Sequence, residues 1–297
     1  MKGRDLISGV LLLDKPEGWT SNQALGRVKR LLNASKAGHT GTLDPFATGL
    51  LPICLGEATK FSADLLEADK TYVATARLGE RTSTGDVEGE VIETRAVHVS
   101  RERLDAVVSR FRGAITQVPP MYSALKRDGT PLYELARRGV EVEREARNVT
   151  IHALDVLAFD NQTLVFRVTC SKGTYVRVLA QDIGEALGCG AHLTALRRER
   201  VETLDLAQTI DVVAFEAMTL NERHAALMPL DALLNTVPRV DLDAHLAARF
   251  AQGQRLRIDA LTVGRVRVYE GPRLLGTALL DAGGRLQPQR LISREPI

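Results

Sequence analysis

Residues 37–51 read Ala-Gly-His-Thr-Gly-Thr-Leu-Asp-Pro-Phe-Ala-Thr-Gly-Leu-Leu, and this stretch constrains the fold more than any other. It holds Gly38, Gly41 and Gly49, and Pro45 directly follows Asp44. An amphipathic helix does not tolerate that density of breakers, and a strand ladder rejects a proline in its middle. The pattern therefore predicts a long loop, kept ordered by Leu43, Phe46, Leu50 and Leu51 packing on a core. Asp44 is its single acid. A residue before proline is driven to extended geometry, so the backbone beneath this carboxylate is stiff. With His39 just upstream and glycines that let another backbone approach closely, the loop reads as a substrate site, where a lone Asp-Pro would read as a turn.

At 297 residues the chain has room for a large domain and a small one. The balance of 44% hydrophobic and 26% charged residues is that of an ordinary globular protein. Three widely spaced cysteines make no disulfide framework, and a reducing cytoplasm suits them. The apolar run Gly9–Leu13 is too short to span a membrane and has no cleavage-site pattern, so neither a targeting segment nor membrane attachment is expected. Net charge is +2 but unevenly placed. From Arg239 onward there are 10 arginines, 6 acids and no lysine, while the preceding residues carry a net of −2. Arginine alone suits phosphate contacts and base stacking; a solvated arginine-rich surface fits the same counts.

In chain order, residues 7–13 predict a buried strand ending in the breaker-rich turn 14–18. A helix follows from about Asn22, capped by Thr20 or Ser21, with Ala24, Leu25, Val28, Leu31 and Leu32 on one face. After the loop, residues 72–78 read as a strand and 81–86 as a polar loop. Ser100 caps a helix carrying Leu104, Val107, Val108 and Phe111. Residues 117–126 are irregular, and Thr130-Pro131 opens a short helix that Gly139 closes. Lys126, Arg127, Arg137, Arg138, Arg144 and Arg147 make residues 120–147 a basic excursion, read equally as a solvated hairpin or an RNA clamp. Residues 164–170 alternate as a half-buried strand, and a helix through Val178, Leu179, Ile183 and Leu187 ends at Gly188. Residues 211–218 and 222–228 predict shorter helices. Pro229 and Pro238 bracket a domain junction near 237, beyond which come a helix at 242–251 and strands at 265–269, 274–280 and 285–291.

Familiar cofactor sites are missing from the pattern. No glycine-rich loop leads into Lys-Ser or Lys-Thr, and no GxGxxG joins a strand to a helix. Cys189-Gly-Ala-His192 has ligand-like spacing without a second pair, and the loop offers no second acid for glycosidase chemistry. An enzyme working without metal or cofactor is the expectation.

Gly38-His-Thr-Gly-Thr-Leu-Asp-Pro-Phe-Ala-Thr-Gly-Leu-Leu-Pro52 resembles the catalytic motif of the TruB family of tRNA pseudouridine synthases. Gly9-Val-Leu-Leu-Leu-Asp-Lys-Pro16, Tyr122-Ser-Ala-Leu-Lys126 and Ser171-Lys-Gly-Thr-Tyr-Val-Arg177 resemble the family's other motifs, in the family's order. The resemblance covers roughly residues 7–230. It implies an α+β fold: a mixed, largely antiparallel sheet flanked by helices in a catalytic domain (1–237), followed by a small β-rich PUA-like RNA-binding domain (238–297). It also implies a cytoplasmic enzyme, here taken as a monomer without an obligatory protein partner, that isomerises the uridine at position fifty-five in the T loop of tRNA. Neither metal nor cofactor is implied.

Residue by residue, Asp44 matches the catalytic aspartate and Arg177 the arginine that pairs with it. Tyr72 matches a stacking tyrosine that takes the C5 proton, Tyr175 and Leu196 match pocket positions, and His39 matches the residue that fills the stack a flipped base leaves. Lys15 and Lys60 are expected at phosphate, and Asp86 is expected to orient polar groups. The competing reading is a tRNA-binding and folding module whose modification is incidental.

Overall fold

The computed structural model describes residues 5–259 and 262–293, so the extreme ends of the two expected domains, residues 1–4 and 294–297, lie outside the described residues. The centre is a mixed sheet of ten strands. Strand β1 (Gly9–Lys15) leads through helix α1 (Ser21–Leu31) to β2 (Ala37–His39), β3 (Thr48–Leu55) and β4 (Lys70–Leu78). Across the sheet the order is 210–211, β1, β3, 191–201, β4, 163–170, 147–160 and 113–117. On that path 210–211 runs parallel to β1, and 191–201 runs parallel to β3; the other neighbours are antiparallel. The expected mixed, largely antiparallel sheet flanked by helices is the architecture observed.

The apolar run at β1 is continuous because both faces of the strand are covered. Successive side chains point to opposite faces. Leu11 and Leu13, with Leu51, Ile53 and Leu55 of β3, enter the main core beneath α1 and the helix Val176–Leu187. Val10 and Leu12, with Leu50 and Cys54, enter a second core on the other face. That second core also takes Tyr269 and Leu274 from the C-terminal five-stranded sheet. The C-terminal sheet has a third core of its own under the helix Ala244–Ala251, centred on Phe250, Val266 and Val268. It is further tied back by Tyr269, whose hydroxyl bonds Asp231 at 2.5 Å, and by the Arg265–Asp64 pair.

The predicted loop is shorter than residues 37–51. Residues 37–39 pair with β3 as β2, and Thr48 already begins β3, so Leu50 and Leu51 are strand residues. Pro52 lies mid-strand, opposite Leu12. The ladder accepts it because its missing N–H would face the β2 flank, where pairing has ended at His39; on that flank the Pro52 carbonyl accepts the Thr40 N–H at 3.1 Å. The 14-residue strand Arg147–Asp160 and the strand Ala191–Val201 were not expected from sequence. Both are interrupted by register shifts that blur a period of two.

Candidate active site

The remaining loop, residues 40–47, is pinned from several sides. Thr20 caps α1 in a box with Gln23, which leaves Ser21 free to hold the loop. The Ser21 hydroxyl accepts the Leu43 N–H at 2.8 Å and bonds the Leu43 carbonyl at 3.1 Å. The Ala47 N–H donates to the Asp44 carbonyl at 3.1 Å, closing a turn around Pro45. Leu43, Phe46 and Ala47 are buried in the main core. Asp44 is thus the half-buried tip of a fixed turn, at the wall of a cavity of about 890 Å³.

Arg177, in the first turn of its helix and only 3% exposed, fills the space behind the carboxylate. Its Nε lies 3.0 Å from Asp44 Oδ2, and Nη2 donates to Oδ1 at 3.3 Å. Nη1 sits 3.2 Å from Asp86 Oδ2 and donates to the Thr84 carbonyl at 3.0 Å, while Nη2 also donates to the Tyr122 carbonyl at 2.6 Å. The fork is saturated, and that fixes the direction of the Asp44 carboxylate. Burial pushes the Asp44 carboxyl above its ordinary range; Arg177 opposes that, Asp86 adds to it, and Lys15 opposes it again. Asp86, 2% exposed, accepts from Thr84 Oγ1 at 2.5 Å and from the Glu88 N–H at 3.0 Å. Arg177 and Asp86 therefore stand with Asp44, as expected.

Tyr72, Ala74, Leu196 and Arg198 share one sheet face, since Tyr72 pairs directly with Arg198 and Ala74 with Leu196. Leu196 is 7% exposed, and the half-buried Tyr72 ring packs against the same core. Burial raises the Tyr72 phenol; Arg198 opposes the rise, while Cys170 and Asp44 add to it. Tyr175 precedes the Arg177 helix, with its main chain clamped by Gln117, which accepts from the Tyr175 N–H at 3.0 Å. Burial raises the Tyr175 phenol too, opposed first by the nearby Ser123 side chain and then by Arg147 and Arg177. His39 stands at the entrance to the loop; burial, then Arg198, lowers its pKa, so the ring is held neutral.

One sequence expectation fails on geometry. Lys15 is fully buried and spends its three N–H bonds on the carbonyls of Pro16, Trp19 and Pro45 at 2.9, 2.6 and 3.2 Å, leaving none for phosphate. It fixes the backbone on both sides of the site, and burial lowers its pKa to about 8. Lys60 bonds Glu57 at 2.6 Å and the Leu291 carbonyl at 2.9 Å, joining the main body to the tail. Arg198 is the residue that sequence reasoning missed. It is 1% exposed, donating from Nε to the Leu50 carbonyl at 2.7 Å and from Nη2 to the Gly41 carbonyl at 3.1 Å. Cys189 and His192 do not converge on a ligand: Cys189 faces the Gly184 carbonyl and His192 the Glu80 carbonyl.

Three family models match in succession: the TruB family pseudouridylate synthase N-terminal domain over residues 29–176, the tRNA pseudouridylate synthase B C-terminal domain over 177–236, and the pseudouridine synthase II TruB C-terminal region over 238–292. The chain belongs to the TruB family of pseudouridine synthases. It is accordingly an isomerase of that family. A curated relative from Burkholderia lata, tRNA pseudouridine synthase B, is 62% identical over 97% of this chain and 91% of its own length. Its namesake from Ralstonia nicotianae is 59% identical over 96% of this chain and 94% of its own. Among solved structures, an H/ACA ribonucleoprotein bound to a substrate RNA containing 2′-deoxyuridine aligns with a TM-score of 0.74 at 25% identity, over 97% of this chain and 86% of that one. A Cbf5–Nop10–Gar1 complex aligns with a TM-score of 0.72 at 26% identity, over 95% and 84%. The TruB chain described here shares their fold across the sheet and the C-terminal unit alike.

Proposed function

We propose that this TruB-family isomerase acts on tRNA and converts the uridine at position fifty-five of the T loop to pseudouridine, with Asp44 as the catalytic carboxylate. The observation that carries the reading is the Asp44 carboxylate on a fixed turn, gripped through both oxygens by Arg177, at the edge of a cavity. The tRNA pseudouridine synthase B names of relatives at 62% and 59% identity support the choice of RNA.

The reaction breaks the bond from ribose C1′ to uracil N1, rotates the base and joins C1′ to C5; the C5 proton leaves and N1 gains one, so nothing is consumed. Asp44 supplies the negative oxygen that captures the intermediate covalently, and Arg177 holds it ionised against its buried surroundings. Because the target base begins inside a folded loop, extruding it costs a few kcal/mol, and stacking on the Tyr72 ring offsets about 1–3 kcal/mol of that. Tyr72 also receives the C5 proton, acting as the phenolate that Arg198 favours and becoming the phenol. Leu196 and Tyr175 bound the base, and the neutral His39 ring takes the place the base has left.

We assign catalysis to residues 1–237 and RNA contact to the arginine-rich tail, 238–297. The basic excursion is also placed on the substrate side, supported by Tyr122, Ser123, Tyr133 and Arg137 lining the same cavity wall as Asp44. The enzyme is taken as a cytoplasmic monomer; no helix among the described residues is long and apolar enough to cross a membrane.

The test is Asp44→Asn, which keeps volume and removes the charge. Chemical mapping of pseudouridine in a T-stem-loop RNA should find no product, while filter binding stays within a few-fold of the parent. Product at the parental rate would place the chemistry elsewhere.

A further inference from the structure

We propose that Arg198 is a positioning residue that ties the Asp44 loop to the ladder position directly opposite Tyr72 and so sets the spacing between the two sides of the reaction. The inference rests on the assignment of Asp44 and Tyr72 above. A cation 1% exposed is costly unless paired, yet among the described residues Arg198 has no carboxylate in ion-pair contact. Its hydrogen-bond partners are the carbonyls of Gly41 and Leu50, one on each side of Asp44 in sequence, and it stands directly across the ladder from Tyr72. One rigid planar fork therefore spans both ends of the loop from the strand residue paired with Tyr72.

The neighbouring chain is shaped to admit this side chain. A Cβ on Gly41 would lie 3.3 Å from Nη1, and one on Gly49 would collide with the Arg198 main chain. Both glycines have positive φ, +84° and +102°. The glycine spacing of the motif, read from sequence as room for another backbone to approach closely, admits the Arg198 main chain at Gly49 and its guanidinium at Gly41.

An apolar side chain would fill the same volume without the desolvation cost, so the charge itself has a use. Of the charges that act on the Tyr72 phenol, Cys170 on the 163–170 strand and Asp44 on the loop oppose the phenolate, and Arg198, its ladder partner on the 191–201 strand, favours it. Lys15, Lys70 and His39 crowd Arg198 from β1, β4 and β2, each with its pKa lowered by burial and by Arg198. Arg198 thus sets a fixed positive charge opposite Tyr72 on the same sheet face, where it favours the phenolate that can accept a proton from the base.

The experiment is a double-mutant cycle on the full chain with Arg198→Met, Tyr72→Phe and the double variant, read by single-turnover product formation at saturating T-stem-loop RNA. It is paired with a [13Cζ]tyrosine NMR titration of the RNA-free protein, with the Tyr72 signal assigned by its loss in Tyr72→Phe. Arg198→Met is expected to slow turnover about 10- to 100-fold in the parent, by a few-fold only in the Tyr72→Phe background, and to move the Tyr72 titration to higher pH. Equal losses in both backgrounds with an unmoved Tyr72 titration would reduce Arg198 to a filler of the core and overturn the proposal. Should Arg198→Met fail to fold, Arg198→Lys keeps the charge and loses the fork, and the same cycle and titration are read on it. The Asp44 assignment fails separately, through product from Asp44→Asn, because the Tyr72 titration is measured without RNA or turnover.

Discussion

Arg177→Met tests the physical role given to the ion pair. The substitution keeps the length and much of the packing of a side chain that is 3% exposed, and removes the charge facing both Asp44 and Asp86. Two unit charges about 4 Å apart interact by about 4 kcal/mol at an effective dielectric near 20. The Asp44 side chain keeps 34% of its surface in solvent, so screening leaves about half of that, ~2 kcal/mol, or about 1.5 pH units at 1.36 kcal/mol per unit. The sign follows from the direction already present. Burial and Asp86 raise the Asp44 carboxyl, Arg177 opposes them, and its removal raises the carboxyl further. A reaction that needs the carboxylate then loses rate at higher pH, so the acid limb of the single-turnover pH profile should move up by about that interval, with RNA affinity little changed. Arg177→Lys, which keeps a point charge without the fork, should move it less. An acid limb that stays in place when Arg177 becomes Met would refute the claim that this guanidinium keeps the nucleophile ionised.

Two further outcomes follow from the packing. Gly49→Ala should destabilise the protein by at least about 1–3 kcal/mol in denaturant unfolding, because the added Cβ meets the Arg198 carbonyl and the backbone is at φ +102°; a change near zero would mean that the β3 contact with the 191–201 strand is loose. The Lys15 amine has its pKa lowered to about 8 from an ordinary 10.5, so above about 8 the native state holds fewer protons than the unfolded chain and stability rises with pH. The denaturation midpoint of the parent, relative to Lys15→Met, should therefore climb through that window, and parallel curves would show that Lys15 is not desolvated.

The sheet and the tail were legible because their signals are local. The β1 run, the Ser100 cap and the αL Gly188 each speak through one short stretch of sequence. Thr48–Leu51 were misread as loop because a strand carrying both Gly49 and Pro52 contradicts ordinary β-propensity. What permits it is non-local: β2 ends beside Pro52, and the Arg198 backbone presses on Gly49. The carboxylate proposed for catalysis and the arginine expected to pair with it could be named by motif alone; residue periodicity and composition gave no sign that Asp44 and Arg177 meet at 3.0 Å across 133 positions. Lys15 and Arg198 escaped a correct reading for a shared reason. Their partners are main-chain carbonyls, which every residue carries, so no side-chain pattern announces them. A lysine near a catalytic motif then looks like a phosphate ligand, and an arginine in Leu-Arg-Arg-Glu-Arg looks like one more surface charge.

That shared chemistry explains how one small loop is both rigid and charged. Arg177, Lys15 and Arg198 are buried around it, and only Arg177 meets carboxylates. Lys15 and Arg198 are solvated instead by carbonyl dipoles of the very segments that must stay still: Pro16, Trp19 and Pro45 in one case, Gly41 and Leu50 in the other. Carbonyls satisfy N–H donors without cancelling their positive charge. The bonds that fix the loop therefore leave a positive field at the site, with Lys15 helping Arg177 to hold Asp44 ionised and Arg198 opposing the burial of Tyr72. Replacing either cation by an apolar side chain of equal size would keep the core filled, yet loosen the turn and raise the pKa of the reacting group beside it. Rigidity and ionisation are consequently lost together when either cation becomes apolar, and separating them takes a substitution that keeps the charge, such as Arg198→Lys.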